Sequence, residues 1–463
     1  MRPEALQRSI TSMRERGVND RAIAVFEHYW RELDSGAQGT IPEDTIEPLG
    51  DLTELADLEI SDEERAEALR QVAVVKLNGG LGTGMGMAGP KSALVARDGL
   101  TFLDIIARQL IALGKRYGTR PPLVLMDSFR TREESLEILS RYPELAEQTL
   151  PLDFLQSAEP KLRADDLSPV EWPDDPSLEW CPPGHGDVYV SLQASGLLEA
   201  MREQGIRYAF LSNADNLGAT CDPDIAAWML REGVPYAAEV TVRTANDRKG
   251  GHLAIRKSDE RLILRDSAMV VDGEDHYFQD NKRHQWFHTN NLWVDLEHLS
   301  ALLTERDGVL GLPIVINRKT VDPSRYDSPK VIQIESAMGT AVETFEGAQA
   351  IRVPRTRFRP VKTTNELLLL RSDVFALDEQ SRIVSTITHD EPSITLDEHY
   401  KLIADFDRRF PKGPPSLKEC TSLSVAGDVT FGADVRCVGD VEIEAAEPVV
   451  IADGEELAGR RKG

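Results

Sequence analysis

The chain has 463 residues, of which 41% are hydrophobic and 28% charged, and its formal net charge is −25. No apolar run approaches the roughly 20 residues that span a bilayer, and so acidic a surface repels nucleic acid and anionic membranes, which sets both aside as partners. Cys181, Cys221, Cys420 and Cys437 lie far apart without a CxxC pair, which speaks against a zinc cage or a disulfide framework.

The N-terminal stretch is charged throughout and lacks the apolar core of a secretory signal, so a cytoplasmic protein is expected. The length exceeds what one core absorbs, and a large central domain with at least one smaller unit follows. Residues 1–70 are polar and helix-prone, punctuated by Pro42 and Gly50, and read as an N-terminal helical segment. From Gln71 apolar strands alternate with amphipathic helices. The run 72–77 is a buried strand, and Phe102, Leu103, Ile105, Ile106, Leu110 and Leu113 share one helical face.

Further buried strands are predicted at 123–126, 208–211, 237–242 and 331–334. Strands alternating with helices imply an α/β domain over residues 71–375, with a mainly parallel, doubly wound sheet and helices on both faces. Ligands gather at the carboxyl ends of such strands. Residues 78–80 and 213–215 lie just beyond two of those ends.

Between them stands a loop with glycines at 79, 80, 82, 84, 86 and 89, too many for packing alone. Without a Cβ, backbone amides can line a phosphate or a flat base, and Lys91 adds a full charge. Gly84-x-Gly86-x-x-Gly89 satisfies the dinucleotide fingerprint, with Asp104 at about the distance of a ribose-binding acid. Pro90 follows the third glycine, however, and Asp104 falls inside an amphipathic helix. The same proline separates Gly89 from Lys91 and breaks the P-loop spacing. Downstream, Arg352, Arg355, Arg357, Arg359 and Lys362 cluster with no acid among them, as either an anion-binding segment or a solvated basic loop.

Residues 376–463 form a linker and a second unit. Leu423, Val429, Val435 and Val441 recur every six residues, as do Val425, Phe431, Cys437 and Ile443. Small residues at fixed offsets within such a period predict a parallel β-helix; the alternative is an antiparallel meander. Its last coil would be exposed and open to a second subunit.

Val75-Lys-Leu-Asn-Gly-Gly-Leu-Gly-Thr83 with Gly89-Pro-Lys-Ser92 resembles the nucleotide loop of the eukaryotic-type UTP–glucose-1-phosphate uridylyltransferases, or UDP-glucose pyrophosphorylases. Five later segments follow in that family's order: Pro182-Pro-Gly-His-Gly-Asp187, Asn213-Ala-Asp-Asn-Leu-Gly-Ala219, Lys249-Gly-Gly251, Thr289-Asn-Asn-Leu-Trp293 and Val353-Pro-Arg-Thr-Arg-Phe-Arg-Pro-Val-Lys-Thr-Thr364. The resemblance implies a nucleotidyltransferase core, a C-terminal left-handed β-helix used in homo-oligomer formation, and transfer of uridylyl from UTP to glucose 1-phosphate with release of pyrophosphate.

It further implies that Leu77, Asn78, Gly79 and Gly80 hold uridine through backbone groups, with Gln156, Gly184 and Asn213 completing the nucleotide site. Lys91 and Lys362 would bind phosphates and Asp215 would hold magnesium, these three forming the catalytic set. His185, Gly251, Asp266, Asn290 and Asn291 would form the sugar-phosphate site. Ala88 stands where the family has a basic residue, and Asp266 where it has a glutamate. Asp215 taken alone reads as a turn cap, the two asparagines as a turn, and Trp293 as core.

The nucleophile of this reaction is already an anion, so no general base is needed, consistent with the lack of a Ser/His/Asp or Cys/His set. Two other readings stand beside it. One is a pyrophosphorylase for another sugar 1-phosphate, such as an N-acetylhexosamine; the other is a non-catalytic UDP-sugar sensor, which would need neither magnesium nor charges for a leaving group.

Overall fold

The computed structural model describes residues 2–244, 247 and 250–462; Lys249 of the Lys-Gly-Gly motif lies outside them. Seven strands form the spine of a central sheet of 11 strands among the described residues: β1 (Val72–Leu77), β2 (Leu123–Asp127), β3 (Asp153–Leu155), β4 (Tyr208–Asn213), β5 (Tyr236–Val242), β6 (Trp286–Asp295) and β7 (Gln349–Arg352). Their spatial order is β7-β5-β6-β4-β1-β2-β3. Pairing is parallel except around β6, which runs antiparallel to both β4 and β5. The sheet is thus mixed and mainly parallel.

Alternate residues of each strand enter opposite cores. Val72 and Val74 pack on one face beneath helices Asp62–Arg70, Phe102–Tyr117 and Pro223–Glu232. Ala73 and Val75 pack on the other, against Arg2–Glu15, Asp20–Asp34 and Asp187–Ala194. Helices therefore cover both faces. Trp293 is fully buried, as the core reading expects, with its ring 4.5 Å from that of Phe210.

The first 70 residues are more than a helical prefix. Thr53–Glu54 pairs with β7, and Ile46–Pro48 pairs with Gly251–Arg256, so they extend the sheet. The expected strand at 331–334 is present, as Lys330–Ser336, but outside the central sheet. It forms a small antiparallel sheet with Ile314–Thr320 and Leu162–Arg163, because its nearest strand in sequence folds straight back on it.

The C-terminal strands pair in parallel, so the antiparallel meander does not apply. Leu423 lies opposite Val441 and Val425 opposite Ile443, each pair three six-residue periods apart (423 to 441, 425 to 443). The inward residues of these coils join the core beneath the Phe102–Tyr117 face rather than forming a detached unit.

Candidate active site

The glycine-rich segment leaves β1, makes a closed excursion and returns. Leu81 bridges Pro90, and the Lys91 N–H donates to the Gly80 carbonyl at 3.2 Å. Lys91 is thereby set beside residues eleven positions earlier in the chain (91 against 80). Asn78 is buried, and its side chain is spent on structure: its amide donates to Asp127 Oδ1 at 2.6 Å and Ser135 Oγ at 2.7 Å, and it accepts from Ser92 Oγ. Its backbone N–H donates to the Met126 carbonyl at 2.8 Å, which leaves its carbonyl for a ligand.

Thr101 caps the next helix in a reciprocal box with Asp104, which also accepts from the Tyr142 hydroxyl. Asp104 is a helix cap, which disposes of the dinucleotide alternative.

Leu77, Asn78, Gly79, Gly80, Lys91, Gln156, Gly184, His185, Asn213 and Asp215 line one cleft of about 260 Å³ at the carboxyl ends of β1 and β4. Glycine is required at Gly184, and at Gly79 it leaves room for the movable end of the Gln156 side chain. A Cβ on Gly79 would lie 2.4 Å from Gln156 Oε1, and one on Gly184, whose φ is +81°, would lie 2.5 Å from the Ser336 carbonyl.

Lys91 Nζ sits 2.7 Å from Asp215 Oδ2, while Asp215 Oδ1 is buried without a partner among the described residues. His185 Nδ1 accepts the Met338 N–H at 2.8 Å, so the neutral ring carries its proton on Nε2. Desolvation lowers the pKa of His185, and the nearby Asp266 carboxylate opposes that shift. The ring therefore stays neutral at pH 7 as a hydrogen-bond donor.

The remaining expected residues take more varied places. Lys362 is exposed and follows Val361, whose N–H donates to the Asp215 carbonyl at 3.2 Å. Pro360 bridges Asn216, so the segment bearing Lys362 crosses the loop bearing Asp215. Gly251 pairs with Asp266 across adjacent strands. Asn290 holds a left-handed φ of 62° within β6, and its amide reaches Asn213 Oδ1 at 3.3 Å, joining the sugar motif to the cleft.

Asn291 does not face the cleft. Alternation along β6 turns it inward, fully buried, where its amide donates to Glu239 Oε2 at 3.0 Å and the Arg357 carbonyl at 3.3 Å. Asn291 thus braces the elements behind the cleft, while the Asn290 amide lies on the Asn213 side.

The basic segment also differs from its reading as a phosphate cluster. Arg352 pairs with Glu54, Arg355 with Asp247 at 2.7 Å, Arg357 with Glu239 at 2.5 Å and Arg359 with Glu391 at 2.6 Å. The acids come from distant parts of the chain, so a local view of the segment missed them. Among the described residues Lys362 alone of the five carries no ion pair.

Two contributors escaped the sequence reading. Glu239, fully buried, accepts from Asn291, the Trp293 indole at 3.0 Å and Arg357, and so pins β5, β6 and the Lys362 segment together. A lone glutamate in the apolar run of β5 was the available signal. His288 is buried beside Gly339, with Nδ1 accepting the Asn290 N–H at 3.2 Å, and burial pushes its pKa down to about 3.

A profile of the UTP–glucose-1-phosphate uridylyltransferase family matches residues 23–437. The chain belongs to that family. A uridylyltransferase of Musa acuminata is 40% identical over 90% of this chain and 86% of its own length, and one of Saccharomyces cerevisiae is 38% identical over 85% and 77%. Among solved structures, UDP-glucose pyrophosphorylase of Leishmania major superposes with a TM-score of 0.92 at 40% identity, covering 99% of each chain. The same Leishmania enzyme carrying a substitution, in complex with UDP-glucose, gives 0.91 at 39% identity, again over 99% of both chains.

Proposed function

We infer that this cleft is where the chain transfers uridylyl from UTP to glucose 1-phosphate, giving UDP-glucose and pyrophosphate. The observation that carries this is the convergence of the Gly79–Gly80 backbone, Gln156 and the Lys91–Asp215 pair in one cleft. Gln156, packed against Gly79, reads the base, while Leu77, Asn78 and Gly80 offer backbone groups to uridine. Lys91 meets the triphosphate from inside the cleft and Lys362 from its rim. His185 donates through Nε2 to the sugar phosphate, and Asn290, Gly251 and Asp266 bound the sugar side.

Asp215 suits a magnesium ion, since Oδ1 is a buried carboxylate oxygen with no partner. No cluster of three His, Cys, Asp or Glu able to hold a metal occurs among the described residues, so phosphates and water would complete the shell, as magnesium favours. When bound, the ion neutralises charge on the reacting phosphates. The protein's own part is alignment: two polyanions must be held in line, and fixing both reactants contributes on the order of 7 to 11 kcal/mol. Lys91 and Lys362 offset their repulsion, each such preorganised charge being worth roughly 3 to 4 kcal/mol of barrier.

The division of labour follows: residues 71–375 carry the chemistry, residues 1–70 brace the sheet, and residues 376–463 form a left-handed β-helix through which the protein self-associates. The four buried free cysteines suit a reducing cytoplasm. Pyrophosphate release with UTP, magnesium and a panel of sugar 1-phosphates tests the assignment. Turnover is expected with glucose 1-phosphate; release with an N-acetylhexosamine 1-phosphate alone would transfer it to that substrate, and none at all would leave only a sensor.

A further inference from the structure

A second cavity, of about 310 Å³, opens on the helix-covered face of the sheet, away from the cleft. Its floor is Lys76, which alternation along β1 turns away from the core side of Val75 and beneath helices Phe102–Tyr117 and Pro223–Glu232. The lysine is 2% exposed, and its ammonium donates to Ser212 Oγ at 2.8 Å and the Ala219 carbonyl at 2.7 Å. No carboxylate pairs with it among the described residues. Burial, helped by the nearby Arg357 charge, pushes the Lys76 pKa down to about 7, so at neutral pH it is only partly charged, and an anion beside it would restore the full charge.

The cavity wall carries three further cations, Arg65, Arg116 and Arg382, against two carboxylates, Asp222 and Asp224. Both carboxylates are already engaged, Asp224 by Arg65 at 2.5 Å and Asp222 by Arg357 at 3.4 Å. Arg382 is paired with Asp378 at 2.8 Å. Arg116 stacks on the Tyr117 ring at 5.2 Å and has no ion pair among the described residues. Lys76 at the floor and Arg116 at the mouth are therefore left uncompensated, in a chain whose net charge is −25.

We propose that this cavity is a second binding site, for a small phosphate-bearing anion, and that its occupancy acts on the catalytic loop through Lys76. The size suits such a ligand, pockets for small molecules starting at about 300 Å³. The coupling path is short. Ser212 directly precedes Asn213 of the cleft, and Ala219 closes the loop that presents Asp215, so an anion that draws on the Lys76 ammonium shifts both anchors of that loop. The binding claim rests on charge and burial alone; the coupling claim rests also on the cleft being the active site.

The test uses inorganic phosphate as the probe and the full chain saturated with UDP-glucose, followed by calorimetry. One further saturable phosphate site is expected, weakened at least tenfold in Arg116→Ala and in Arg382→Ala, both exposed and remote from the cleft. Lys76→Met should abolish it; should that variant not fold, the two arginine variants decide. Absence of a phosphate site in the wild-type protein, or wild-type affinity retained in both arginine variants, would overturn the binding claim. Rates of uridylyl transfer in wild type and Arg116→Ala then read the coupling: phosphate should change the first and leave the second unmoved, and equal responses would overturn it. Should UDP-glucose itself fail to bind, the fault lies with the functional reading, and the arginine dependence of phosphate binding still decides the second site.

Discussion

Lys91 Nζ and Asp215 Oδ2 meet at 2.7 Å although 124 positions separate them in sequence. The contact joins the end of the glycine loop to the turn after β4, so the two side chains hold each other in place. Preorganisation of this kind requires no rearrangement at the moment of reaction. Lys91→Ala is expected to lower kcat about 10²- to 10³-fold. Rates of pyrophosphate release would show it, and a loss confined to KM would mean that Lys91 only binds.

Asp215 keeps one oxygen for Lys91 and leaves Oδ1 buried and unpaired. Asp215→Asn preserves the shape while removing the charge that a hard cation prefers. The magnesium concentration for half-maximal activity should rise at least tenfold, with melting temperature little changed. An unmoved magnesium dependence would remove Asp215 as the metal-holding residue.

Lys362 is exposed and stands one residue beyond the backbone contact between Val361 and Asp215. A charge placed there acts on the transition state more than on the resting nucleotide. For Lys362→Ala the expected result is a kcat loss of about 10² or more with UTP affinity nearly kept, measured by turnover and by equilibrium binding of UTP. Unchanged turnover would take Lys362 out of the catalytic set.

Much of this arrangement was legible in the residues because the motifs sit at strand ends, where period and loop chemistry coincide. The alternation of Val72, Ala73, Val74 and Val75 between two cores is visible as an unbroken apolar run, and the six-residue period of the tail survives as register. What was not legible depends on distant partners. Arg352, Arg355, Arg357 and Arg359 look like a free cationic cluster until Glu54, Asp247, Glu239 and Glu391 arrive from elsewhere in the fold. The choice between Asn290 and Asn291 turns on the phase of one strand, and the left-handed φ at Asn290 is invisible to composition.

Val449–Ile451 and Glu456–Lys462 are the last strands of the C-terminal module among the described residues, each with a strand partner on one side only. Val450 is 72% exposed there. Open edges and exposed apolar residues invite pairing with another copy. If self-association runs through this coil, Val450→Asp combined with Ala458→Asp should lower the mass seen by light scattering without lowering activity per chain. An unaltered mass would place the interface elsewhere.

Asp127 closes β2 directly behind the cleft, accepting from the Asn78 amide at 2.6 Å and the Thr131 hydroxyl at 3.0 Å through Oδ1, while Oδ2 is buried and unpaired. Burial outweighs those bonds and pushes its pKa up to about 6 from 3.8. The folded state thus holds this proton more tightly than the unfolded chain does. The resulting penalty is fully present above pH 6, and it is relieved as pH falls through 6 towards 3.8. Asp127→Asn has no such titration. Its stability relative to wild type should therefore rise by on the order of 2 to 3 kcal/mol between about pH 4 and about pH 7, whatever its offset at any single pH. Denaturant unfolding of both proteins across that range gives the difference directly, and a difference that stays flat would mean that Asp127 is already ionised throughout and that Asn78 is anchored by a charge.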